Sequence, residues 1–433
     1  MIRFWQRLAP FGGIITVETP LPRLARLALF QLSVGFAAAL IIGTLNRVMI
    51  VELHLSAWLV SLMISLPLVL APGRAVIGFK SDQHKSAFGW KRLPYLWFGT
   101  LAQFGGLAIM PFALIVLSGD SRAPHFVGPI AASLAFLLVG GGMHTTQTAG
   151  LALATDLARP DTRPKVVSML CVMLLIGICV GALSYGLLLR HFSELRLIQV
   201  VQGSALLTML INGTGMYQQE PRHVQSEVAA PKMGEVWRRF KAEPKAMRRL
   251  VTIGLGTMAL SMQDILLEPY GGQVLHLTVS QTTLLTAALA GGGMVGLAVA
   301  AWRLAAKADA YGIAATGLLV GLAAFAAVIF SGPLNYAPMF VLGVLLIGLA
   351  AGMFLAGTLS DAMGRASAGN AGLALGTWGS VQAGAAGVSI AIGGFIRDGA
   401  GYDTVYTVEI LLLFVTLAAL GPLVRRSNMY QRS

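Results

Sequence analysis

The chain is expected to be an all-α polytopic membrane protein with twelve transmembrane helices in two six-helix repeats. Three observations point there. Hydrophobic residues make up 56% of the 433 and charged residues only 11%, about half the charged share of a soluble globular domain. Apolar runs of about twenty residues, each long enough to cross a bilayer, recur along the whole chain. The second half of the chain repeats the pattern of the first. The runs are continuously apolar, which favours helices over the short alternating strands of a membrane barrel.

The expected helices are 27–50, 57–79, 95–117, 127–155, 165–190, 195–216, 249–270, 281–302, 312–330, 336–359, 371–395 and 402–424. Residues 1–26 read as a cytoplasmic lead-in. The opening MIRFWQRLAPFGG is basic, but no apolar core and small-residue cleavage site follow it. The N-terminal six-helix half is then 27–216, the cytoplasmic linker 217–248, the C-terminal half 249–424 and the cytoplasmic tail 425–433. With the N-terminus inside, all of the 31 Lys and Arg except Arg47, Arg74, Arg122, Arg190, Arg196 and Arg397 fall on the cytoplasmic side. The net charge of +13 is thereby read as membrane topology and not as a nucleic-acid surface. The linker carries Lys232, Arg238, Arg239, Lys241, Lys245 and Arg248 against Glu235 and Glu243. Its GEVWRRFK stretch reads as a short amphipathic helix on anionic lipid, so membrane lipids are expected partners.

Helix one ends in TLNRVMIVEL and helix seven in SMQDILLEPY, which places Asn46 opposite Gln263 and Arg47 opposite Asp264. Helices four and ten both close with an Asp, Asp156 and Asp361. Two six-helix halves related by an axis along the membrane normal are the plan of the major facilitator fold. Gly372, Gly376, Ser380 and Gly384 on helix eleven, Gly177 and Gly181 on helix five, and Gly291, Gly292 and Gly293 on helix eight are expected packing seams. Cys171 and Cys179 lie about 12 Å apart along one helix, too far for a disulfide.

The loop after helix two reads GFKSDQHKSAFGWKRLPYLWFG. Its Gly78, Asp82, Gly89, Lys91 and Arg92 resemble the loop signature of the major facilitator superfamily, with a longer Asp-to-Gly spacing. That departure, with LFQLSVGFAAALIIGTLNRVMIVEL, GGGMHTTQTAGLALATDLA and MQDILLEPYGGQVL, resembles the PucC/LhaA family of purple phototrophic bacteria. The resemblance implies bacteriochlorophyll handling or delivery and light-harvesting complex assembly. Its implied partners are light-harvesting polypeptides or late bacteriochlorophyll-synthesis enzymes, and its implied bound ligand is bacteriochlorophyll or a precursor. The implied location is the bacterial inner or intracytoplasmic membrane. At 433 residues the chain looks short for the antenna-assembly members, which points to the branch grouped with bacteriochlorophyll synthesis. The alternative is a proton-coupled secondary transporter, for which Asp264, Glu268 and Glu409 are the candidate carboxylates. Ala182 stands after Gly181 where the usual antiporter motif has proline. No intrinsic cofactor, metal set or catalytic constellation is expected, so an enzyme is not favoured.

Three groups of residues are candidates for function. Arg47, Glu52, Asp264 and Glu268 form an expected charge cluster joining the halves at the periplasmic side, as a structural tie or as a gate. Arg47 is expected to pair with Asp264, and Asp264 and Glu268, four apart, to share one helix face. His144 is the one histidine deep in an expected span. Gly140, one turn earlier, would leave a flat area for a macrocycle. His144 would then be an axial ligand to chlorin magnesium, with Gln147 and Thr148 bonding ring carbonyls or fixing the imidazole. The bland reading is a buried histidine bonded to Gln147. The resemblance implies a third group, a cytoplasmic gate of Gly78, Asp82, Gly89, Lys91, Arg92 and Asp156. In it Asp82 faces a helix end with Arg74, Lys91 and Arg92 nearby, and Asp156 pairs with Arg159 or Arg163.

Overall fold

The computed structural model describes residues 21–69, 71, 73–74, 77, 81, 89–118, 124, 126–158, 163–220, 245–364 and 371–424. The expected lead-in over 1–20, the GEVWRRFK helix, Gly78, Asp82 and Arg159 lie outside them. Within them the chain forms helices α1 (from Leu21 to Glu52), α2 (Ala57–Val69), α3 (Leu93–Leu117), α4 (Val127–Leu157), α5 (Arg163–Leu188) and α6 (Glu194–Met216). The second half has α7 in two pieces, α7a (Ala246–Ser261) and α7b (Leu267–Gln273). It continues with α8 (Val279–Ala305), α9 (Ala310–Ser331), α10 (Ala337–Gly364), α11 (Ala371–Ala400) and α12 (Tyr402–Leu420). Ten helices are long and apolar enough to cross a membrane. The remaining two are α2, described over 13 residues, and the interrupted α7. Large apolar side chains such as Phe98, Phe112, Leu187, Trp302 and Phe395 point outward, more than 60% exposed, as a lipid-facing surface requires.

The first helix of each half is irregular. α1 is α-helical from Leu21 to Ala38, then runs through π-helical Ala39–Thr44, one α turn at Leu45–Arg47, and π-helical Val48–Glu52. α7 is interrupted by a hydrogen-bonded turn over Met262–Leu266. Non-helical backbone inside a membrane bundle persists only where protein or a cavity satisfies it. Both connections that follow turn through a left-handed histidine, His54 and His276, each with φ of 53°.

The near end is the end where α1 begins; the opposite end is the far end. The halves are joined toward the far end. There Trp58 N–H donates to Asp398 Oδ2 at 2.8 Å and Ser280 Oγ to Gly186 O at 2.7 Å. Along α2 and α11, Gly387 sits against Leu68 and Gly394 against Ser61. Nearer the near end, Gly384 and Gly379 meet nothing within 4 Å. No side chain of α11 between Thr377 and Ala386 is fully buried. Of the expected glycine seam on α11, Gly384 faces open space, and the surroundings of Gly372 and Gly376 lie outside the described residues; the described packing glycines are 387, 393 and 394. The expectation for α5 holds, with Gly177 against Leu32 and Gly181 against Phe36 of α1. On α8 it holds for Gly292, which abuts Leu345 of α10, and not for Gly291, which meets nothing. Cys171 and Cys179 are free thiols.

Two large apolar cores underlie this arrangement, with smaller clusters around Phe30 and Leu96 and around Ile313 and Met353. One belongs to the second half, built around Tyr270, Phe325, Phe340 and Tyr406. The other fills the first half and extends across the seam to Met262, Ile265 and Leu266 of the α7 turn, Ala287 of α8 and Ile390 of α11.

Candidate functional site

Pro269 sets the chemistry of the seam. Proline has no backbone N–H, so the carbonyl four residues earlier, on Ile265, receives no helical bond. Asn46 of α1 supplies one, its Nδ2 donating to Ile265 O at 2.7 Å. On the other side of the turn, Gln263 N–H donates to Glu409 Oε1 of α12 at 2.8 Å. Asn46, Gln263 and Glu409 are fully buried, where an unmet backbone group is costly. The two residues aligned by the internal repeat, Asn46 and Gln263, thus both bond at the α7 turn, one to it and one from it.

Arg47 does not pair with Asp264. It is buried, its Nη1 bonds Glu52 Oε1 and its Nη2 donates to Leu277 O at 3.3 Å. The cause is helix geometry. Residues five apart sit about 140° apart around a regular α-helix, but π-helical winding brings i and i+5 into register. Val48–Glu52 is such a stretch. Among the described residues Asp264 forms no ion pair. Nor does Asp264 share a regular helix face with Glu268, because the turn separates them: Asp264 lies in it and Glu268 in the first turn of α7b. Glu268, 2% exposed, accepts a hydrogen bond from Thr286 Oγ1 of α8 and lies within electrostatic reach of Arg47. Gly43 of α1 makes room for that pair. A Cβ there would stand 2.6 Å from Thr286 Oγ1 and 2.7 Å from Glu268 Oε1. Of the expected cluster, the structure pairs Arg47 with Glu52, holds Glu268 on Thr286 and leaves Asp264 aside.

The second group lies between α4, α1 and the segment after α2. Arg74 Nε donates to Thr148 Oγ1 and its Nη2 to Gln147 Oε1, both at 3.0 Å. Gln147 Nε2 donates on to Gln31 Oε1 at 3.3 Å, and Thr148 Oγ1 to His144 O at 2.7 Å. His144 lies within electrostatic reach of Arg74. Among the described residues its ring has no hydrogen-bond partner. The expected His144–Gln147 bond is therefore replaced by a guanidinium held on Gln147 and Thr148. Gly140 is no flat surface either, because Pro67 of α2 packs onto it. The open glycine is Gly141, with nothing within 4 Å.

The third group ties α3 to its neighbours at the near end. Arg92 Nε bonds Asp156 Oδ2 at 3.1 Å, and Arg92 Nη1 donates to Ser81 Oγ at 2.5 Å. The Glu220 carboxylate accepts the N–H groups of Lys91, at 2.9 Å, and of Arg92 and Leu93. A carboxylate on the first N–H groups of a helix is favoured by their exposed partial charge. Arg92 is thus the described partner of Asp156; the side chains of the expected partners Arg159 and Arg163 lie outside the described residues. Gly89 turns the chain at φ 76°. In the second half Asp361 accepts from Tyr311 Oη at 3.0 Å.

Twelve helices in two halves, joined at the far end around an irregular first and an interrupted seventh helix, define a major facilitator architecture. Solved transporters share it. A bacterial homologue of the iron transporter ferroportin matches with a TM-score of 0.69 at 13% identity, covering 94% of this chain and 99% of that one. A bacterial homologue of the lysosomal transporter Spinster matches with a TM-score of 0.67 at 15% identity, covering 92% and 95%. The chain belongs to the family described as PUCC protein, matched over residues 44–428. It is 46% identical to Protein PucC of Cereibacter sphaeroides over 100% of this chain and 98% of that one. It is 49% identical to an uncharacterized protein in the puhA-bchM intergenic region of Rhodobacter capsulatus, over 98% and 93%. A more distant relative, the bacteriochlorophyll synthase 44.5 kDa chain of Rhodobacter capsulatus, is 29% identical over 82% of each. The relative named for bacteriochlorophyll synthesis is the more distant one, at 29% against 46% for Protein PucC, so similarity does not favour the synthesis branch to which length pointed.

Proposed function

We propose that this chain is a non-enzymatic membrane factor that handles bacteriochlorophyll or a precursor during assembly of light-harvesting complexes. The observation that carries the reading is the near-full-length identity to PucC proteins. One relative's name refers to bacteriochlorophyll synthesis, which supports a pigment as the ligand. The partners in this reading are light-harvesting polypeptides or late synthesis enzymes, within the inner or intracytoplasmic membrane. Both termini lie in the cytoplasm, which makes the near end the cytoplasmic one; the distribution of Lys and Arg supports this. His144 beside the open position at Gly141 remains the candidate axial donor to chlorin magnesium.

The test is purification in mild detergent from pigment-producing membranes, with absorption spectra and identification of co-purifying chains. The expected result is bound bacteriochlorophyll or an antenna polypeptide. His144→Leu should then lower bound pigment at normal protein yield. Unchanged pigment and spectrum in a folded variant would remove His144 from the site.

A second reading, proton-coupled transport of a small solute, is favoured by one observation. Glu268 and Glu409 are both buried at the seam, each with one carboxyl oxygen lacking a partner among the described residues. Intramembrane carboxyls of this kind serve proton relays elsewhere. A colourless preparation that couples solute and proton flux in vesicles would favour it over the pigment reading.

A further inference from the structure

The cation at residue 74 raises a separate question. A guanidinium away from bulk water ordinarily meets a carboxylate. Arg74 meets neutral acceptors instead, the Gln147 amide oxygen and the Thr148 hydroxyl, and none of the described acidic side chains bonds it. Those two contacts engage Nε and Nη2 and leave Nη1 without a bond to any described residue. The second basic group beside it, the His144 imidazole, also lacks a hydrogen-bond partner among the described residues.

The surroundings are open. α2 and α11 are packed together from Ser61 with Gly394 to Leu68 with Gly387. Arg74 follows Leu68 by six residues toward the near end. That is the stretch over which α11 carries the unobstructed Gly384 and Gly379. Gly141, one turn before His144, has nothing within 4 Å, and neither does Gly73, beside Arg74. A cation with a free donor edge therefore lies just beyond the point where the halves part. None of the described carboxylates forms an ion pair with it there.

We propose that Arg74, steadied by Gln147 and Thr148 and flanked by His144, binds the anionic oxygen group of an amphiphile that enters the cleft between α2 and α11. The chemistry is a carboxylate or phosphate on a large apolar body. Guanidinium donors pair with such oxyanions in a planar, charge-assisted geometry, and the apolar body lies along the small residues of α11 and the Gly141 face. Resting on the pigment reading, the class is a chlorin that still carries a free carboxylic acid, in preference to its esterified form. The other source of the same chemistry is an anionic phospholipid headgroup.

The experiment uses the full chain purified in neutral detergent, with bacteriochlorophyllide a as the acid probe and its methyl ester as the neutral probe. Binding is read by absorption shift and tryptophan quenching. The wild type is expected to bind the acid at least about tenfold more tightly than the ester, the equivalent of one charge-assisted hydrogen bond. Arg74→Gln should abolish that preference without changing ester affinity, while Arg74→Lys should keep part of it. Equal binding of acid and ester by the wild type would overturn the inference and leave the pigment reading standing. So would a preference that survives in Arg74→Gln. If neither chlorin binds, the pigment reading fails and phosphatidylglycerol decides the inference. Retention of that lipid in native mass spectra of the wild type, lost in Arg74→Gln and kept in Arg74→Lys, supports it; equal retention, or none, overturns it. Should Arg74→Gln not fold, the acid-to-ester ratio of the wild type and of Arg74→Lys carries the same decision.

Discussion

At the residue scale, Asn46 and Pro269 form one functional pair although they share no side-chain contact in the structure. Pro269 strips Ile265 O of its helical donor and Asn46 replaces it. Asn46→Ala should destabilise the protein by about 1–2 kcal/mol, as loss of a buried bond to an otherwise unmet acceptor does. In a Pro269→Ala background the backbone N–H returns, so the same Asn46→Ala change should cost clearly less. The measurement is a double-mutant cycle on thermal or denaturant stability in detergent. Equal costs in both backgrounds would disprove the link. The proline was legible in the sequence, and with it the fact that some carbonyl near 265 would lose its donor. That Asn46 would be the replacement followed only loosely, from the repeat that set it opposite Gln263. The partner of Arg47 was misread because the repeat was weighed and the winding of α1 could not be. Apolar periodicity does not distinguish a π-helical stretch from an α-helical one when every face is buried.

At the element scale, α1 and α7 are the pair that departs from regular helix, and α8 is held close to both. At Gly43, α1 lies against the Glu268–Thr286 pair. Gly43→Ala should displace the Glu268–Thr286 pair, since a Cβ would lie inside contact distance of both. The loss should exceed that of Gly379→Ala, where a Cβ meets nothing within 4 Å. Comparing the thermal midpoints of the two purified variants checks this. Comparable losses would mean that α1 has slack at Gly43. The helix boundaries themselves were largely readable, because each apolar run is bounded by charged or turn residues. The exceptions have physical causes. α7 reads as one apolar run since Met262, Ile265 and Leu266 are as apolar as any helix, and the turn shows only in three dimensions. Gly384 reads as a packing residue because spacing records that small residues recur and not whether a neighbour has drawn near.

At the scale of the whole molecule, the halves meet toward one end and part toward the other. Every hydrogen bond between the halves among the described residues, from Asn46, Arg47, Trp58 and Ser280, lies in the middle or at the far end. Gly379→Cys and Gly384→Cys should therefore react readily with a polar thiol reagent in membranes. With the orientation proposed above, they should react when it is applied from the cytoplasmic side. Labelling of both only from the opposite side would reverse that orientation. The candidate sites were only partly legible from sequence. His144, Gln147 and Thr148 were found by type and spacing. Arg74, the group they gather around, was read as a basic neighbour of Asp82 and not as a partner of α4, since contacts between α2 and α4 have no signature in the linear order.

The pairing of Arg47 with Glu52 bears on how the protein is made. The first half enters the bilayer while the seventh helix is still unsynthesised. A partner at position 264 would have left the Arg47 guanidinium uncompensated through that interval, inside the membrane, where an unpaired charge is costly. A partner five residues away on the same helix travels with it. The π-helical winding of Val48–Glu52 therefore lets α1 be handed from the ribosome to the lipid with its Arg47 charge already compensated, before the chain that will cover it exists.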